Sequence, residues 1–190
     1  MANISSTALI LIDIQKGLDQ LDYYGGHRNN LDAEQNARKI LDFFRKKAWP
    51  IFHVKHNSIH PESTLRPHQI GNEIKEIVAP LKTEPIIEKN VNSAFIGTNL
   101  KNQLDQLSIN KLILVGLTTD HCVSTTARMA SNLGFQTIVI ADATAAFDKI
   151  SWDQKKLSAD LVHEVELACL SQEFAEIQTT DDFLNTLKED

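Results

Sequence analysis

Short, uninterrupted apolar runs, separated by stretches with helical periodicity, constrain the fold of this chain most. Four clear runs are TALILID at residues 7–13, PIFHVK at 50–55, KLILVG at 111–116 and QTIVIAD at 136–142. EPIIEK at 84–89 and AEIQTT at 175–180 are weaker runs of the same kind. A strand buried on both faces has no polar side to alternate with, so these runs predict strands in the interior of a parallel sheet.

The segments between the runs carry apolar residues at helical spacing. The four stripes are Ala33, Ala37, Ile40, Leu41 and Phe44; Leu100, Leu104 and Leu107; Val123, Ala127 and Ala130; and Leu157, Leu161, Val165 and Ala168. Strands that alternate with helices predict right-handed βαβ units and an α/β fold with a parallel sheet. A length of 190 residues suits one domain, which we expect to span residues 1–190.

Charge and cysteine content limit the classes of function. The formal net charge of −6 argues against nucleic-acid binding as the main task. Two cysteines do not make a disulfide framework and fit a reducing compartment. The first residues, MANISSTALILIDIQKG, lack a basic leader, and their apolar run is too short to cross a membrane. We therefore expect a cytoplasmic protein with no membrane partner.

Reactive side chains follow three of the predicted strands. Asp13 ends the first run, Lys89 ends EPIIEK, and Cys122 follows KLILVG in the stretch GLTTDHCVSTTARMA. In open α/β sheets, ligands bind beyond the carboxyl ends of the strands, so we expect these three side chains to converge there. Asp13 would accept the thiol proton, and Lys89 together with a helix N-terminus would favour the thiolate. Backbone N–H groups at Thr118 and Cys122 would receive an oxyanion.

Each of these residues also has a plain structural interpretation. A free cysteine is often an ordinary buried residue, an aspartate after a strand often caps a helix, and a lysine there is often a solvated charge. Phe95 is either a wall of the substrate pocket or part of the core. His121 is predicted to lie at the rim of a turn, because adjacent residues on a helix do not face each other.

Four further residues are assigned structural places. Cys169 lies on the stripe of Val165 and Ala168, which predicts a core position. Asp142 is predicted to cap the segment that follows it, although a role in the site stays open. His163 is predicted to be structural, and Trp152 to pack between helices.

The motifs together resemble those of the isochorismatase-like cysteine hydrolases, a superfamily that includes nicotinamidases and other small amidases. The stretches LILIDIQKG, IIEKNVNSAF, VGLTTDHCVSTTARMASNLGF and IADATAAF carry the resemblance, in this order and spacing. It implies a three-layer, Rossmann-like α/β/α sandwich around a mostly parallel six-stranded sheet. It also implies a catalytic Asp13, Lys89 and Cys122, a non-proline cis peptide at Leu117–Thr118, and a supporting role for Gln15.

Histidines raise the question of a metal. Nicotinamidases carry an Asp-x-His motif that binds a divalent ion, whereas the matching stretch here, HVKHNSIHPES, has no aspartate in that arrangement. His53 lies in a predicted strand, and His56, His60 and His68 fall in a polar segment at residues 56–72. We therefore expect no metal and no cofactor. The segment 56–72 is predicted to form either an active-site wall or an interface.

Three functions remain compatible with the sequence. The leading one is hydrolysis of a small amide through a Cys122 thioester, with Asp13 as base and acid and Lys89 as its electrostatic partner. Leu117, His121 and Phe95 would then line or support the pocket. The alternatives are vinyl-ether hydrolysis with Asp13 as the acid, and a non-catalytic binding protein with an inert thiol. The expected partners are a small-molecule substrate and a second copy of the chain, in a homodimer or homotetramer.

Overall fold

A six-stranded sheet forms the centre of the computed structural model, which describes residues 6–187. Its strands are β1 Thr7–Ile12, β2 Ile51–His56, β3 Ile86–Lys89, β4 Lys111–Leu117, β5 Gln136–Ala145 and β8 Glu176–Gln178. They lie in the order β3-β2-β1-β4-β5-β8, and every neighbouring pair is parallel. Two short strands, β6 Lys149–Ile150 and β7 Lys156–Leu157, form a separate antiparallel hairpin.

Helices cover both faces of the sheet. They are α1 Leu21–Tyr24, α2 Ala33–Lys47, α3 Leu100–Gln106, α4 Ser124–Asn132, α5 Ala159–Leu170 and α6 Thr180–Thr186. Short 3₁₀ turns occur at Lys16–Asp19, Ile70–Asn72 and Glu76–Val78. Buried residues of α3, α4 and α5 pack on one face of the sheet, and those of α2 and α6 pack on the other. The predicted three-layer α/β/α architecture is thereby confirmed.

No helix within residues 6–187 combines the length and the apolar character that crossing a bilayer requires.

The face of α5 was predicted incorrectly. Its buried residues are Ala159, His163, Leu167 and Leu170, whereas Leu161 and Val165 are about half exposed. Apolar residues occupy both faces of this helix, so its periodicity does not decide which face is buried. For the same reason, the prediction that Cys169 lies in the core is wrong, and the residue is exposed. Trp152 is 94% exposed in the turn of the β6–β7 hairpin, so its predicted packing between helices is also wrong.

The register of the sheet aligns the carboxyl ends of its strands. Ile12 pairs with Val54 on one side and with Gly116 on the other, and His56 pairs with Lys89. Gly116 adopts φ +125°, and a Cβ there would lie 2.0 Å from the carbonyl oxygen of Ile12. Glycine is therefore required where β4 passes β1 just before the turn that carries Cys122.

His53 belongs to a structural cluster near the amino-terminal end of β3. Its Nε2 lies 2.8 Å from Glu84 Oε2, and Arg45 donates to both carboxylate oxygens of Glu84 at 2.8 Å. Burial by itself raises the pKa of Glu84, but the bonds from Arg45, the Leu81 N–H and His53 outweigh it and lower the pKa to about 2. This cluster accounts for the buried position of His53 in β2.

Glu84→Gln is expected to reduce the free energy of unfolding by about 1–3 kcal/mol at pH 7, because it removes charge-assisted hydrogen bonds. The folded pKa lies below the ordinary value of about 4.3, so the carboxylate stabilises the fold above that pH. That stability is lost as the pH falls through about 2. Urea unfolding of both proteins at several pH values checks this; a difference that does not shrink on acidification contradicts it.

Candidate active site

Asp13 is the residue that follows β1 at the carboxyl end of the sheet. Its backbone has φ +50°, a conformation that few non-glycine residues adopt, and its N–H donates to the Val54 carbonyl at 3.0 Å. The side chain is 2% exposed. The strand end therefore holds a carboxylate inside the protein, where it needs a partner of opposite charge.

Lys89 supplies that partner from the end of β3. Its Nζ donates to Asp13 Oδ2 at 2.6 Å, to Cys122 Sγ at 3.3 Å and to His56 Nδ1 at 3.1 Å. An ammonium group has three N–H donors and no acceptor, so these three bonds use all of its hydrogen-bonding capacity. The predicted convergence of Asp13, Lys89 and Cys122 is observed, and His56 joins them.

The protonation states follow from these contacts. Burial lowers the pKa of Lys89, but the Asp13 carboxylate outweighs it, so the net pKa is raised and the ammonium persists. Burial raises the pKa of the Cys122 thiol; nearby Asp13 adds to this rise, and Lys89 opposes it. The expectation that its surroundings ionise this sulfur is therefore wrong for the resting protein. The thiol keeps its proton until a base removes it.

One carboxylate oxygen of Asp13 near the sulfur has no partner among the described residues. Oδ1 of Asp13 is buried and has no hydrogen-bond partner among residues 6–187, while Oδ2 is engaged by Lys89. A carboxylate oxygen of Asp13 lies within 4.8 Å of Cys122 Sγ. The geometry thus leaves one oxygen of the carboxylate available to accept the thiol proton.

The turn that presents Cys122 has the form that the resemblance implied. The peptide bond Leu117–Thr118 is cis, and Thr119–Val123 form a single π-helical turn that leads into α4. The backbone N–H groups of His121 and Val123 both donate to the Thr118 carbonyl at 3.2 Å. The predicted oxyanion donors, the N–H groups of Thr118 and Cys122, remain a prediction.

A buried histidine supports this turn from α5. His163 Nδ1 lies 2.8 Å from the hydroxyl of Thr119, and the Thr119 side chain is fully buried. Burial lowers the pKa of His163, so the neutral ring is favoured. The structural role predicted for His163 is therefore to hold the residue three positions before the sulfur.

Asp142 lies within β5 rather than at the end of a strand, and the prediction that it caps the segment after it is wrong. Its Oδ1 accepts bonds from the Thr180 N–H at 2.7 Å and the Thr180 hydroxyl at 2.8 Å, at the start of α6. It does not line the cavity that contains Cys122.

His56 was missed as a site residue because the second strand was predicted to end at Lys55. The strand extends to His56, which pairs directly with Lys89, so its ring lies beside the ammonium. Burial, reinforced by the charge of Lys89, lowers the pKa of His56. Because an ammonium can only donate, Nδ1 of His56 is an acceptor and the ring is neutral.

Gln15 holds the backbone of His56 in place. Its Nε2 donates to the His56 carbonyl at 3.0 Å, and its Oε1 accepts from the His56 N–H at 2.8 Å. The same Nε2 donates to the Asn72 carbonyl at 2.9 Å, which ties the end of the segment 56–72 to β1. Gln15 therefore supports the site through β2 rather than by lining the cavity.

His56→Leu is expected to lower kcat about 10-fold or more, because one proton of Lys89 would lose its buried acceptor. His56→Asn places an amide oxygen near the position of Nδ1 and should recover most of that loss. We expect the change mainly in kcat and little in KM, since His56 acts through Lys89. Steady-state kinetics of the two variants check this; equal losses in both would contradict a hydrogen-bonding role.

Asp13, His56 and Cys122 also form the kind of cluster that can hold a metal, since their ligand atoms lie within 4.8 Å of one another. The Nζ of Lys89, however, is within 3.3 Å of an atom on each of these residues. A cation placed among them would meet the ammonium at close range and lose its hydrogen-bonded ligands. The charge of Lys89 therefore makes this cluster unsuited to a metal while the lysine is protonated.

A cavity of about 380 Å³ opens onto Cys122. Its apolar lining consists of Leu18, Tyr23, Tyr24, Leu65, Leu117 and Phe147. Its polar lining includes His56, His60, Ser63, Asn92, His121 and Lys149. Leu117 and His121 were predicted to line the pocket, and the segment 56–72 contributes to the wall through His60, Ser63 and Leu65. Phe95 lies instead in the core, stacked on Phe135 with ring centroids 6.0 Å apart.

A larger groove of about 490 Å³ lies at the other end of the sheet, between Trp49, Pro50 and Pro85. Its lining contains neither cysteine nor histidine. Asp13 and Cys122 line the smaller cavity instead.

Known proteins resemble this chain in both sequence and fold. The family model of the isochorismatase domain matches residues 7–182. An isochorismatase family protein of Bacillus subtilis, YrdC, is 48% identical over 178 residues, which cover 94% of each chain. Nicotinamidase 3 of Arabidopsis thaliana is 27% identical over 160 residues, or 77% of each chain. The crystal structure of an isochorismatase-family protein from Chromobacterium violaceum superposes with a TM-score of 0.92 at 37% identity, covering 100% of this chain and 98% of that one.

Proposed function

Because the chain belongs to the isochorismatase family of hydrolases, we propose that it hydrolyses a small amide through a thioester on Cys122. The observation that carries this proposal is the position of Lys89 Nζ, 2.6 Å from Asp13 and 3.3 Å from Cys122, beside an open cavity. A base, a cation and a nucleophile from three distant parts of the sequence meet at one point, as covalent catalysis requires.

The first half of the reaction forms the thioester. The sulfur of Cys122 attacks the amide carbon while its proton passes to Oδ1 of Asp13, and an oxyanion develops on the former carbonyl. Lys89 offsets the negative charge of the carboxylate and of the developing oxyanion. Collapse breaks the C–N bond, and Asp13 returns the proton to the leaving amine.

The second half hydrolyses the thioester. Asp13, ionised again, takes a proton from a water molecule that attacks the acyl carbon. The C–S bond breaks, the carboxylic acid leaves and the thiol regains its proton from Asp13. The raised pKa of Cys122 suits this cycle, because a protonated thiol and an ionised Asp13 are the resting pair that the first step needs.

The retained nucleophile favours amide over vinyl-ether hydrolysis. Protonation of a vinyl ether by Asp13 needs no sulfur, whereas the thiol of Cys122 lines the cavity and contacts Lys89. An accessible thiol in this position also argues against a purely structural role. The similarity to nicotinamidase 3 points the same way, since the name of that protein denotes cleavage of an amide.

A panel of small amides, assayed for ammonia release, tests this proposal. Benzamide, nicotinamide, phenylacetamide and acetamide sample different acyl groups of a size that the cavity accepts. We expect at least one to be hydrolysed by the wild-type protein and none by Cys122→Ala. Release of pyruvate from isochorismate by both proteins, with no amide cleaved, would instead favour the vinyl-ether reaction.

We also propose that the protein works as a homodimer or homotetramer in the cytoplasm. The family resemblance supports the assembly, and the small number of cysteines supports a reducing compartment. Size-exclusion chromatography with light scattering tests the assembly, and a monomer at every concentration would contradict it.

A further inference from the structure

We infer that the cavity selects an uncharged amide with a flat apolar body, and that Asp120 enforces this by neutralising Lys149 at the rim. The inference rests on the proposed amide hydrolysis and narrows its substrate class.

Lys149 is the one permanently cationic side chain among the described residues that line the cavity. Its Nζ lies 3.1 Å from Asp120 Oδ2, and the Asp120 side chain is 11% exposed. His121 Nε2 lies 3.4 Å from the same oxygen. Lysine and aspartate therefore form a neutral pair at the rim, and His121 borders the same carboxylate.

The deeper charges are paired as well. Lys89 is held by Asp13, and His56 is neutral because it accepts a bond from that lysine. His60 lies at the exposed side of the cavity. A substrate carboxylate entering this cavity would lose water without meeting an unpaired cation, which is unfavourable. An isochorismate molecule carries two carboxylates, and the pairing of Lys89 with Asp13 and of Lys149 with Asp120 disfavours both.

The remaining wall suits an apolar ring. Tyr24 stacks on Phe147 with ring centroids 5.0 Å apart, and Tyr23 meets Tyr24 edge-on at 4.9 Å. The Tyr24 hydroxyl is 2.7 Å from the Thr64 hydroxyl, which fixes the ring. Burial raises the pKa of Tyr24, so this wall stays uncharged. Leu18 and Leu65 complete an apolar surface that a planar group can cover.

Alkylation of Cys122 by iodoacetamide and by iodoacetate tests the selection without any turnover. In both reactions the sulfur displaces iodide from the same carbon and loses its proton to solvent or Asp13, but only iodoacetate brings a negative charge. The exposed Cys169 supplies the intrinsic ratio of the two rates in the same molecule. We expect the ratio of the iodoacetamide rate to the iodoacetate rate to be about 10-fold higher at Cys122 than at Cys169. Equal ratios at the two cysteines would overturn the inference.

Two variants should move this ratio in opposite directions. Asp120→Asn releases Lys149 and should reduce the preference for the neutral reagent at least about 3-fold, because a carboxylate then meets an unpaired ammonium. Lys149→Gln removes the cation that pairs with Asp120 beside the cavity and should increase the preference of Cys122 for iodoacetamide. Asp153→Asn is the matched control, since it makes the same change in net charge at the exposed Asp153–Lys155 pair of the hairpin turn. If Asp153→Asn changes the ratio of alkylation rates at Cys122 as much as Asp120→Asn does, net charge alone explains the effect and the role of Asp120 is overturned.

Paired amides connect the selection to catalysis. Benzamide and 4-carbamoylbenzoate differ by one carboxylate, and we expect the neutral amide to have the higher kcat/KM. Faster hydrolysis of 4-carbamoylbenzoate would overturn the inference while leaving amide hydrolysis intact. An absence of ammonia from every amide, with the alkylation ratios as expected, would instead overturn the proposed function.

Discussion

Replacing Cys122 with alanine is expected to lower kcat for amide hydrolysis by at least about 10⁴-fold, because it removes the sulfur that would carry the acyl group beside Asp13 and Lys89. Cys122→Ser should be nearly as inactive, since Asp13 would have to deprotonate a much less acidic hydroxyl. Both variants should unfold within about 1 kcal/mol of the wild type, because the thiol is small and only partly buried. Steady-state kinetics and urea unfolding check the two halves of this expectation.

Cys169→Ala is the matched control, because it removes the other cysteine from an exposed position on α5. Its activity and stability should equal those of the wild type. Full amide hydrolysis by Cys122→Ala would rule out covalent catalysis through this sulfur.

Replacing Lys89 with methionine is expected to have the largest effect on stability, and to reduce kcat about 10³-fold as well. The Lys89 side chain is 0% and the Asp13 side chain 2% exposed, so the variant leaves a carboxylate inside the protein without its counterion. Breaking a buried pair in this way costs about 3–5 kcal/mol of unfolding free energy. Urea unfolding measures the loss.

Two further variants show whether burial of the ion pair causes the loss of stability in Lys89→Met. Lys101→Met breaks an exposed pair with Asp105 on α3 and should cost less than about 1 kcal/mol. The double variant Asp13→Leu/Lys89→Met removes both charges and should recover much of the stability without recovering activity. A loss in Lys89→Met no greater than that in Lys101→Met would contradict the buried ion pair.

The sequence predicted the sheet and three site residues for one physical reason. Strands buried on both faces appear in the sequence as continuous apolar runs, and the residues at and just beyond the end of each run lie at the carboxyl edge of a parallel sheet. Asp13, Lys89 and Cys122 could therefore be grouped without knowledge of any distance. The order of the strands then decides which ends are neighbours.

Features that depend on burial or on exact strand length could not be predicted in this way. His56 was assigned to a loop because its strand is one residue longer than the apolar run. The core face of α5 was misassigned because apolar residues occupy both sides of the helix. The protonation of Cys122 was misjudged because charge spacing along a sequence does not reveal how strongly a cavity desolvates a thiol.

The mass of the Cys122 peptide during turnover tests the central claim most directly. The protein would be mixed with a cleaved amide, quenched with acid within the first turnovers, digested and analysed by mass spectrometry. We expect the peptide that contains Cys122 to gain the mass of the acyl group, and the Cys169 peptide to stay unmodified. Product formation with an acyl group on another residue, or with Cys122 unmodified throughout and dispensable for activity, would contradict the account.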